Sequence, residues 1–175
     1  MSSKRKRQGG KQQMAGEISS ADIKIKFCAE TTAGTRPVTG YAENVAASYL
    51  KIAEYVTGIS GLGAEYDQYD VTPLAELSRH RFIKGLQNND GNISFACNIN
   101  PLSRSSWNAI VAEYAALTNG KGMWWEITLP GDDQSVFFRA EPCEMRFPDV
   151  ESAQAVQGAV QLIENQYAGW AAKST

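Results

Sequence analysis

An alternation of hydrophobic and polar positions dominates the chain after residue 20. It is clearest at 92–100, where Ile93, Phe95 and Cys97 alternate with short polar residues. Successive side chains of a β-strand point to opposite faces, so this period predicts strands that each bury one face. The same alternation occurs at Ile23–Phe27. Further strands are predicted at 48–60 (as two pieces), 123–129, 135–140 and 156–162.

One segment has a helical period instead. Its hydrophobic positions follow the three- and four-residue spacing of an amphipathic helix: Trp107, Ile110, Val111, Tyr114 and Leu117. This spacing predicts a helix over residues 105–119. Ser105 or Ser106 is the expected N-cap, and Asn119 with Gly120 is the expected stop. The hydrophobic stripe requires a sheet surface to cover.

The strands around 123–147 are predicted to form a hairpin and then a bend. Pro130–Asp133 has the composition of a turn, with Asp132 and Asp133 favoured there for local hydrogen bonding. Beyond Pro142 the hydrophobic set shifts by one position, which predicts a bulge or sharp bend. The inward-facing residues are expected to be Trp125, Ile127 and Leu129, then Val136 and Phe138, then Cys143, Met145 and Phe147.

These patterns indicate a mainly β fold of about seven strands, mostly antiparallel. We expect a β-sandwich or barrel with the helix of residues 105–119 on its flank. Residues 1–20 are predicted to be a flexible basic N-terminal arm, and 21–175 a single domain. Residues 63–81 are the longest irregular stretch of that domain. Their aromatic and acidic content favours a protruding loop that docks on another subunit.

Charge separates the arm from the body. The first 13 residues hold five of the 17 basic residues and no acid, so the remaining chain has 12 basic against 19 acidic residues. An acidic body argues against a domain that grips DNA, because phosphate binding requires clustered Lys and Arg. The arm's Lys4–Arg7 run could contact nucleic acid or serve as a localisation signal, although a solvated tail that orders against a neighbour is the more ordinary interpretation. No stretch approaches the roughly 20 apolar residues of a spanning helix. No apolar segment follows the basic arm, so a secretory signal is not predicted.

No catalytic, cofactor-binding or metal site is predicted. Cys28, Cys97 and Cys143 lack CxxC spacing, and Cys97 and Cys143 are expected to pack in the core. His80, the single histidine, lies in a polar segment between two arginines without an evident carboxylate partner.

The other candidate motifs have structural interpretations. The spacing of Gly58, Gly61 and Gly63 is not that of a dinucleotide-binding loop, and these glycines are expected in turns. The carboxylates Glu65, Asp67 and Asp70 lack the spaced loop and terminal glutamate of a calcium site. We therefore expect a protein that is not an enzyme and carries no cofactor.

The segment from Tyr55 to Asn100 resembles the major tail tube proteins of long-tailed bacteriophages. The resemblance lies in an ordered set of elements: YVTGISGLG, then YDVTPLAE, then HRFIKGLQNNDGNISFACNINP. The predicted helix, the tryptophan-bearing hairpin and the last alternating strand extend it over about residues 45–165. Lys84 stands where that family often has proline, and neither the arm nor residues 30–47 match it.

The resemblance implies a structural virion protein whose hexameric rings stack into a hollow tail tube for genome delivery. The implied partners are further copies of the chain, the tape-measure protein, the tail terminator and the tail-tip proteins. Double-stranded DNA would pass through the lumen without specific binding, and no membrane contact is implied. Before assembly the subunit would reside in the host cytoplasm. The loop 63–81 and the arm are expected to form ring-to-ring contacts.

Two alternatives remain open at this point. A contractile-tail or type VI secretion tube subunit has a similar fold, and a sheath would accompany it. A monomeric β-sandwich binding module is the other alternative, for which Trp124 and Tyr41, if exposed, would supply contact surface. Self-assembly on concentration would argue against the second.

Overall fold

The computed structural model describes residues 22–63, 65–73, 81–88, 92–148 and 156–174, with the backbone alone at 65–67 and 84–88. The predicted arm at residues 1–20 lies outside the described residues. The prediction that 21–175 forms a single domain stays a prediction.

The described part of the chain contains eight strands and two helices. In chain order they are β1 (Lys24–Ala29), α1 (Ile52–Tyr55), β2 (Val56–Ser60), β3 (Glu65–Asp70), β4 (Phe82–Asn88), β5 (Asn92–Asn98), α2 (Pro101–Ala115), β6 (Met123–Thr128), β7 (Gln134–Pro142) and β8 (Gln157–Ala172). Six strands form one antiparallel sheet in the order β1-β6-β7-β8-β5-β2, and β3 pairs with β4 in a separate two-stranded sheet. The predicted mainly β fold with a flanking helix is confirmed.

Strand β5, next to the edge strand β2, has the alternation that the sequence predicts. Ile93, Phe95 and Cys97 are buried, whereas Asn92 and Asn98 are exposed. Antiparallel pairing with both β2 and β8 fixes the register of this strand. Cys97 is therefore a core residue, as expected, and burial raises the pKa of its thiol to about 11.

An aromatic cluster around Trp125 fills the space between the sheet and α2. Its ring centroid lies 5.8 Å from Phe27, 6.0 Å from Phe95, 6.0 Å from Trp107 and 6.4 Å from Phe138. Both indole N–H groups are satisfied: Trp107 donates to the Cys143 carbonyl at 2.8 Å and Trp125 to the Ala140 carbonyl at 3.1 Å. The helix thus covers the apolar face of the sheet, as its stripe required.

The helix begins earlier than predicted. Its N-cap is Asn100, whose Oδ1 accepts from the Ser103 backbone N–H at 2.8 Å while the Ser103 hydroxyl accepts from the Asn100 N–H at 2.9 Å. Pro101 follows at the first helical position, where its missing N–H costs nothing. The prediction of Ser105 or Ser106 as the cap was wrong, because the serine that completes this capping box lies one turn upstream. The helix ends at Ala115, before the predicted stop at Asn119.

Segment 48–60 also differs from the prediction of two strand pieces. Ile52 and Tyr55 are buried three residues apart, which is a helical spacing, and they form α1. Glu54 supports its start by accepting from the Lys51 N–H at 3.3 Å. Only Val56–Ser60 is a strand.

The chain after Pro142 is not a continued strand. β7 ends at Pro142, whose nitrogen carries no hydrogen to extend the ladder. Cys143 is half-buried, Met145 packs against the core and Phe147 is exposed, so the predicted inward set was wrong for Phe147 and only partly right for Cys143. The irregular register lies upstream, where β8 carries the extra residues Asn165 and Ala168 opposite β7.

Candidate functional site

The β3–β4 pair forms a ribbon that stands apart from the main sheet. It leaves the sheet after Ser60 of β2 and returns at Asn92 of β5, and its two strands pair with each other alone among the described strands. Large hydrophobic side chains on it are about half exposed: Tyr69 at 51%, Val71 at 45%, Phe82 at 58% and Ile83 at 52%. An isolated two-stranded ribbon is marginally stable in water, and a cluster of exposed hydrophobic residues marks an interaction site. The predicted protruding loop at 63–81 is thus replaced by a strand at 65–70, and 74–80 lie outside the described residues.

Hydrogen bonds at Asp70 and Thr72 hold the described end of the ribbon. Asp70 Oδ1 accepts from the Thr72 backbone N–H at 2.8 Å and also from the Thr72 hydroxyl. The same hydroxyl oxygen accepts from the Arg81 N–H at 2.8 Å, and the Val71 N–H donates to the Arg81 carbonyl at 2.8 Å. These contacts close the pair beyond the strands, so the exposed hydrophobic residues are presented on a defined edge.

Gly61 allows the two chains to approach at the root of the ribbon. Its φ is +78°, and a Cβ atom built on it would lie 2.2 Å from the Asn92 carbonyl oxygen. A side chain is excluded both by the left-handed backbone and by that oxygen. The interpretation of Gly61 as a turn glycine is confirmed. The same interpretation was wrong for Gly58, which lies within β2 and pairs with Ala96.

The loop between β1 and α1 covers the outer face of β1, β6 and β7, and the buried Glu30 anchors it. Glu30 Oε2 accepts from the backbone N–H groups of Gly34 at 3.0 Å and Gly122 at 2.8 Å. Its Oε1 accepts from Trp124 Nε1 and Arg139 Nε, both at 2.8 Å. Burial acts to raise the pKa of this carboxyl, but the four hydrogen bonds outweigh it and lower the pKa.

A second buried carboxylate, Glu126, holds the end of the described chain. Both of its oxygens accept from Ser174, one from the backbone N–H at 3.0 Å and the other from the hydroxyl. Lys26 Nζ lies 3.4 Å from the carboxylate. Burial acts to raise the pKa of Glu126, yet the hydrogen bonds from Ser174 and the charge of Lys26 lower it.

Both faces of β6 are therefore buried, which the alternation did not predict. Trp124 is buried on the outer face, and Tyr41 is half-buried with its ring 5.7 Å from Phe137. The Arg36 guanidinium lies 4.3 Å above the same Phe137 ring. The exposed Trp124 and Tyr41 that a binding module would use are thus absent, because residues 30–47 cover this face.

A groove separates β1 and β2, the two edge strands of the six-stranded sheet. It has a volume of about 530 Å³ and is lined by residues of β1, α1 and β2, among them Ile25, Val56 and Ile59. The short helix α1 packs against both strands, so the sheet curls towards closure without closing. Sheet edges offer backbone groups to a neighbouring chain.

Within the described residues, no group of three or more His, Cys, Asp or Glu side chains is placed to hold a metal ion. Cys28, Cys97 and Cys143 are free thiols. Asp132 accepts from the Gln134 N–H at 2.9 Å, which is the turn role expected of it. His80 lies outside the described residues.

Among the described residues, no helix is long and apolar enough to cross a membrane.

The fold has counterparts among solved structures. No protein-family model matches the chain, and no curated protein sequence matches it. Solved structures do match. A chain of the anti-feeding prophage baseplate, six-fold symmetrised, has a TM-score of 0.52 at 12% identity and covers 89% of this chain and 97% of its own length. The two chains share a fold over nearly their whole lengths.

Two further matches come from an extracellular contractile injection system in its extended state. One is a chain of the sheath/tube terminator, with a TM-score of 0.53, 12% identity and coverage of 90% of this chain and 99% of its own. The other is a chain of the sheath-tube complex, with a TM-score of 0.51, 11% identity and coverage of 91% and 95%. At such identities the likeness establishes a shared fold over nearly the full length of both chains. It does not single out the tail tube of long-tailed phages that the sequence resembles.

The two buried carboxylates were missed by the sequence analysis. Glu126 occupies a polar position of a regular alternation, which also describes an exposed glutamate. Glu30 lies in a segment without periodicity. The sequence did carry one signal for them, because bulky residues dominate the neighbouring segments MWWEIT and SVFFRA. Few outward positions of these two strands are polar enough to face water.

Proposed function

We propose that this protein is a structural, non-catalytic subunit of a phage-tail-like particle, in which its copies form rings that stack into a tube. The observation that carries the proposal is the shared fold over 89–91% of this chain with chains from three assemblies of such particles. Two of those assemblies are described as containing a tube. The particle described as six-fold symmetrised supports rings of six, as does the resemblance to tail tube proteins.

The surface of the chain is suited to self-association. The ribbon carries hydrophobic side chains that are about half exposed, and the edges of β1 and β2 flank an open groove. Contact between two different surfaces can close into a ring, and a second such contact can stack rings without limit. The implied partners are the proteins that the resemblance adds: a tape-measure protein, a terminator and tail-tip proteins.

The negative charge of the body, meaning the chain without its basic arm, would allow DNA to pass through the tube. With the first 13 residues set aside, acidic residues outnumber basic ones by 19 to 12. A lumen of the same sign as DNA would let the duplex pass without adhering. The subunit would then be located in the particle, after synthesis in the host cytoplasm.

A contractile form of the tube is the second candidate. It is favoured by the matches to a contractile injection system, whereas the resemblance of Tyr55–Asn100 favours the long-tailed phage form. A sheath surrounds a contractile tube. Electron microscopy of native particles isolated with this protein would separate the two, because a sheathed tube supports the contractile form and a bare tube supports the other.

The test of assembly uses the full chain. We would concentrate the purified protein in steps, follow its size by sedimentation velocity and examine each step by negative-stain electron microscopy. Rings or hollow tubes of uniform width are expected, and averaged end views would give the number of subunits in a ring. A folded protein that remains monomeric at every concentration would contradict the proposal and favour a monomeric binding module.

A further inference from the structure

The groove between β1 and β2 contains backbone groups that lack a partner. Phe27 of β1 exchanges two backbone hydrogen bonds of 2.9 Å with Ala42, on the side of β1 away from β6. Alternate residues of an antiparallel strand direct their backbone groups to the same side, so those of Ile25 face the same side as those of Phe27. Ile25 lines the groove, is 2% exposed and makes no backbone hydrogen bond to a described residue on that side.

The backbone N–H and C=O of Ile25 need a partner, because buried backbone groups are nearly always paired. An extended segment supplies a donor and an acceptor together when it adds to the edge of a strand. The groove offers about 530 Å³ of space, and its wall is apolar at Ile23, Val56 and Ile59. The segment that fits this groove is therefore extended and carries at least one apolar side chain.

The chain itself enters the groove at the start of β1. Asp22 and Ile23 belong to the groove lining, and the N-terminal arm ends just before them. Asp22 has a φ of +68°, which is the left-handed conformation found in two-residue hairpin turns, and Asp is among the residues that adopt it. A turn at Ala21 and Asp22 would return the preceding residues along β1 in the antiparallel direction.

Such a turn sets the register of the returning segment. Ser20 would pair with Ile23 and Ile18 with Ile25, each in a hydrogen-bonded pair that uses the backbone groups facing the groove. Directly opposed side chains lie on the same face, so Ile18 would point to the apolar side of the groove together with Ile25. A slip of one residue would place Glu17 there instead, which burial of one face disfavours.

The length of the segment is limited by the loop after β1. The next hydrogen-bonded position of β1 is Phe27, whose backbone groups are already taken by Ala42. The returning segment can therefore pair with β1 only over Glu17–Ser20.

The charges beside the segment contribute little to its placement. Glu17 would lie opposite Lys26, but Lys26 Nζ is already 3.4 Å from the Glu126 carboxylate. Lys24 is exposed and 4.0 Å from Glu43. Exposed ion pairs are weak, so the apolar contact and the backbone hydrogen bonds would hold the segment.

We propose that Glu17–Ser20 of the N-terminal arm forms a short strand antiparallel to β1 in the groove, with Ile18 opposite Ile25. This strand adds to the six-stranded sheet and covers the edge of β1 at Ile25. The basic residues 4–11 of the arm then extend from a fixed point beside β1. The inference concerns the single chain and does not depend on the proposed function.

Hydrogen exchange at the Ile25 amide, followed by NMR, tests this pairing in the full chain and in two shortened chains. A chain without residues 2–13 keeps the proposed strand, whereas a chain without residues 2–20 loses it. We expect the Ile25 amide to exchange at similar rates in the full chain and the first shortened chain. In the second shortened chain it should exchange at least about ten-fold faster, because local opening then exposes it.

Two substitutions in the arm provide a matched comparison. Ile18→Ser removes the apolar side chain that would enter the groove, so it should accelerate exchange at Ile25. Met14→Ser removes an apolar side chain of the arm outside the proposed strand, so exchange should stay as in the unmodified chain. The circular dichroism spectrum is expected to be unchanged in both variants.

A cysteine pair identifies whose arm occupies the groove. In a background with Cys28→Ser and Cys143→Ser, we would introduce Ser19→Cys with Lys24→Cys. These residues would oppose each other in a non-hydrogen-bonded pair, whose Cα separation of about 4.5 Å suits a disulfide. Mild oxidation of the dilute protein should give a bridged monomer on a non-reducing gel. The control pair, Gln13→Cys with Lys24→Cys, should bridge more slowly.

The outcomes decide between the arm and other occupants of the groove. Protection of Ile25 that is lost without residues 14–20 and in Ile18→Ser, together with a bridged monomer, supports the strand. Equal exchange rates in all the chains would overturn it. A bridged dimer would also overturn it, because the arm of a neighbouring copy would then fill the groove. Tube formation is measured separately, so its failure would leave this result unaffected.

Discussion

Glu30 is the residue whose replacement most directly tests how the outer face of the sheet is held. Each of its carboxylate oxygens accepts two hydrogen bonds, at distances between 2.8 and 3.0 Å. Glu30→Gln replaces one carboxylate oxygen by an NH₂ group. The two N–H groups that donate to that oxygen then face another donor and lose their hydrogen bonds. A buried donor left unsatisfied costs about 1–3 kcal/mol, and breaking a buried charge pair costs about 3–5 kcal/mol. Since Arg139 is partly exposed, we expect a loss of about 3–4 kcal/mol.

Urea unfolding at pH 7, followed by tryptophan fluorescence, measures this loss. With a slope of about 2 kcal/mol per molar urea, the unfolding midpoint should fall by about 1.5–2 M. Glu144→Gln is the matched control, because Glu144 is exposed and its replacement should change stability by less than about 0.5 kcal/mol. If the midpoints of the two variants fall by similar amounts, Glu30 is not the anchor that its hydrogen bonds indicate.

Three further predictions concern acid stability, the ribbon root and the helix start. The pKa values of Glu30 and Glu126 are lowered, so the stability that the two carboxylates contribute is present above the unfolded pKa of about 4.3 and is lost as pH falls through the folded pKa values. The melting temperature should therefore drop steeply below about pH 4, and less steeply in Glu126→Gln. Equal slopes for the two proteins would contradict this. Gly61→Ala should destabilise by more than about 2 kcal/mol in urea unfolding, because the new Cβ would lie 2.2 Å from a carbonyl oxygen. Gly131→Ala has the same φ of +78° but open space, so its cost should be about 1 kcal/mol, and equal costs would exclude the steric argument. Asn100→Ala removes the cap of α2 and should cost about 1 kcal/mol by the same assay, whereas no loss would show that the cap is dispensable.

The sequence predicted those parts of the fold that a single period determines. The alternation of β5 and the stripe around Trp107 identified a strand and a helix, because one face of each is buried and the other is not. The pattern failed where both faces are covered, as in β6, and where a helix is only four residues long, as in α1. Periodicity carries no information about a covering loop, so the burial of Trp124 depended on long-range contacts.

The candidate site was predicted in location but not in form. The sequence indicated that residues 63–81 protrude, and part of this segment does form the exposed ribbon. It gave no indication of a cavity whose described lining includes Arg104 and Arg146, because Arg104 lies on the helix and Arg146 in a coil 42 residues away. The fold alone brings the two arginines into one lining. Sites made from distant segments leave no spacing that a pattern can detect.

Among the described strands, β3 and β4 of the ribbon pair only with each other. Their hydrogen bonds can therefore open while the six-stranded sheet stays closed. Backbone amides of the ribbon should exchange with solvent faster than those of β5, which is paired on both sides. The ribbon is thus the part of the fold whose local stability depends most on what lies against it.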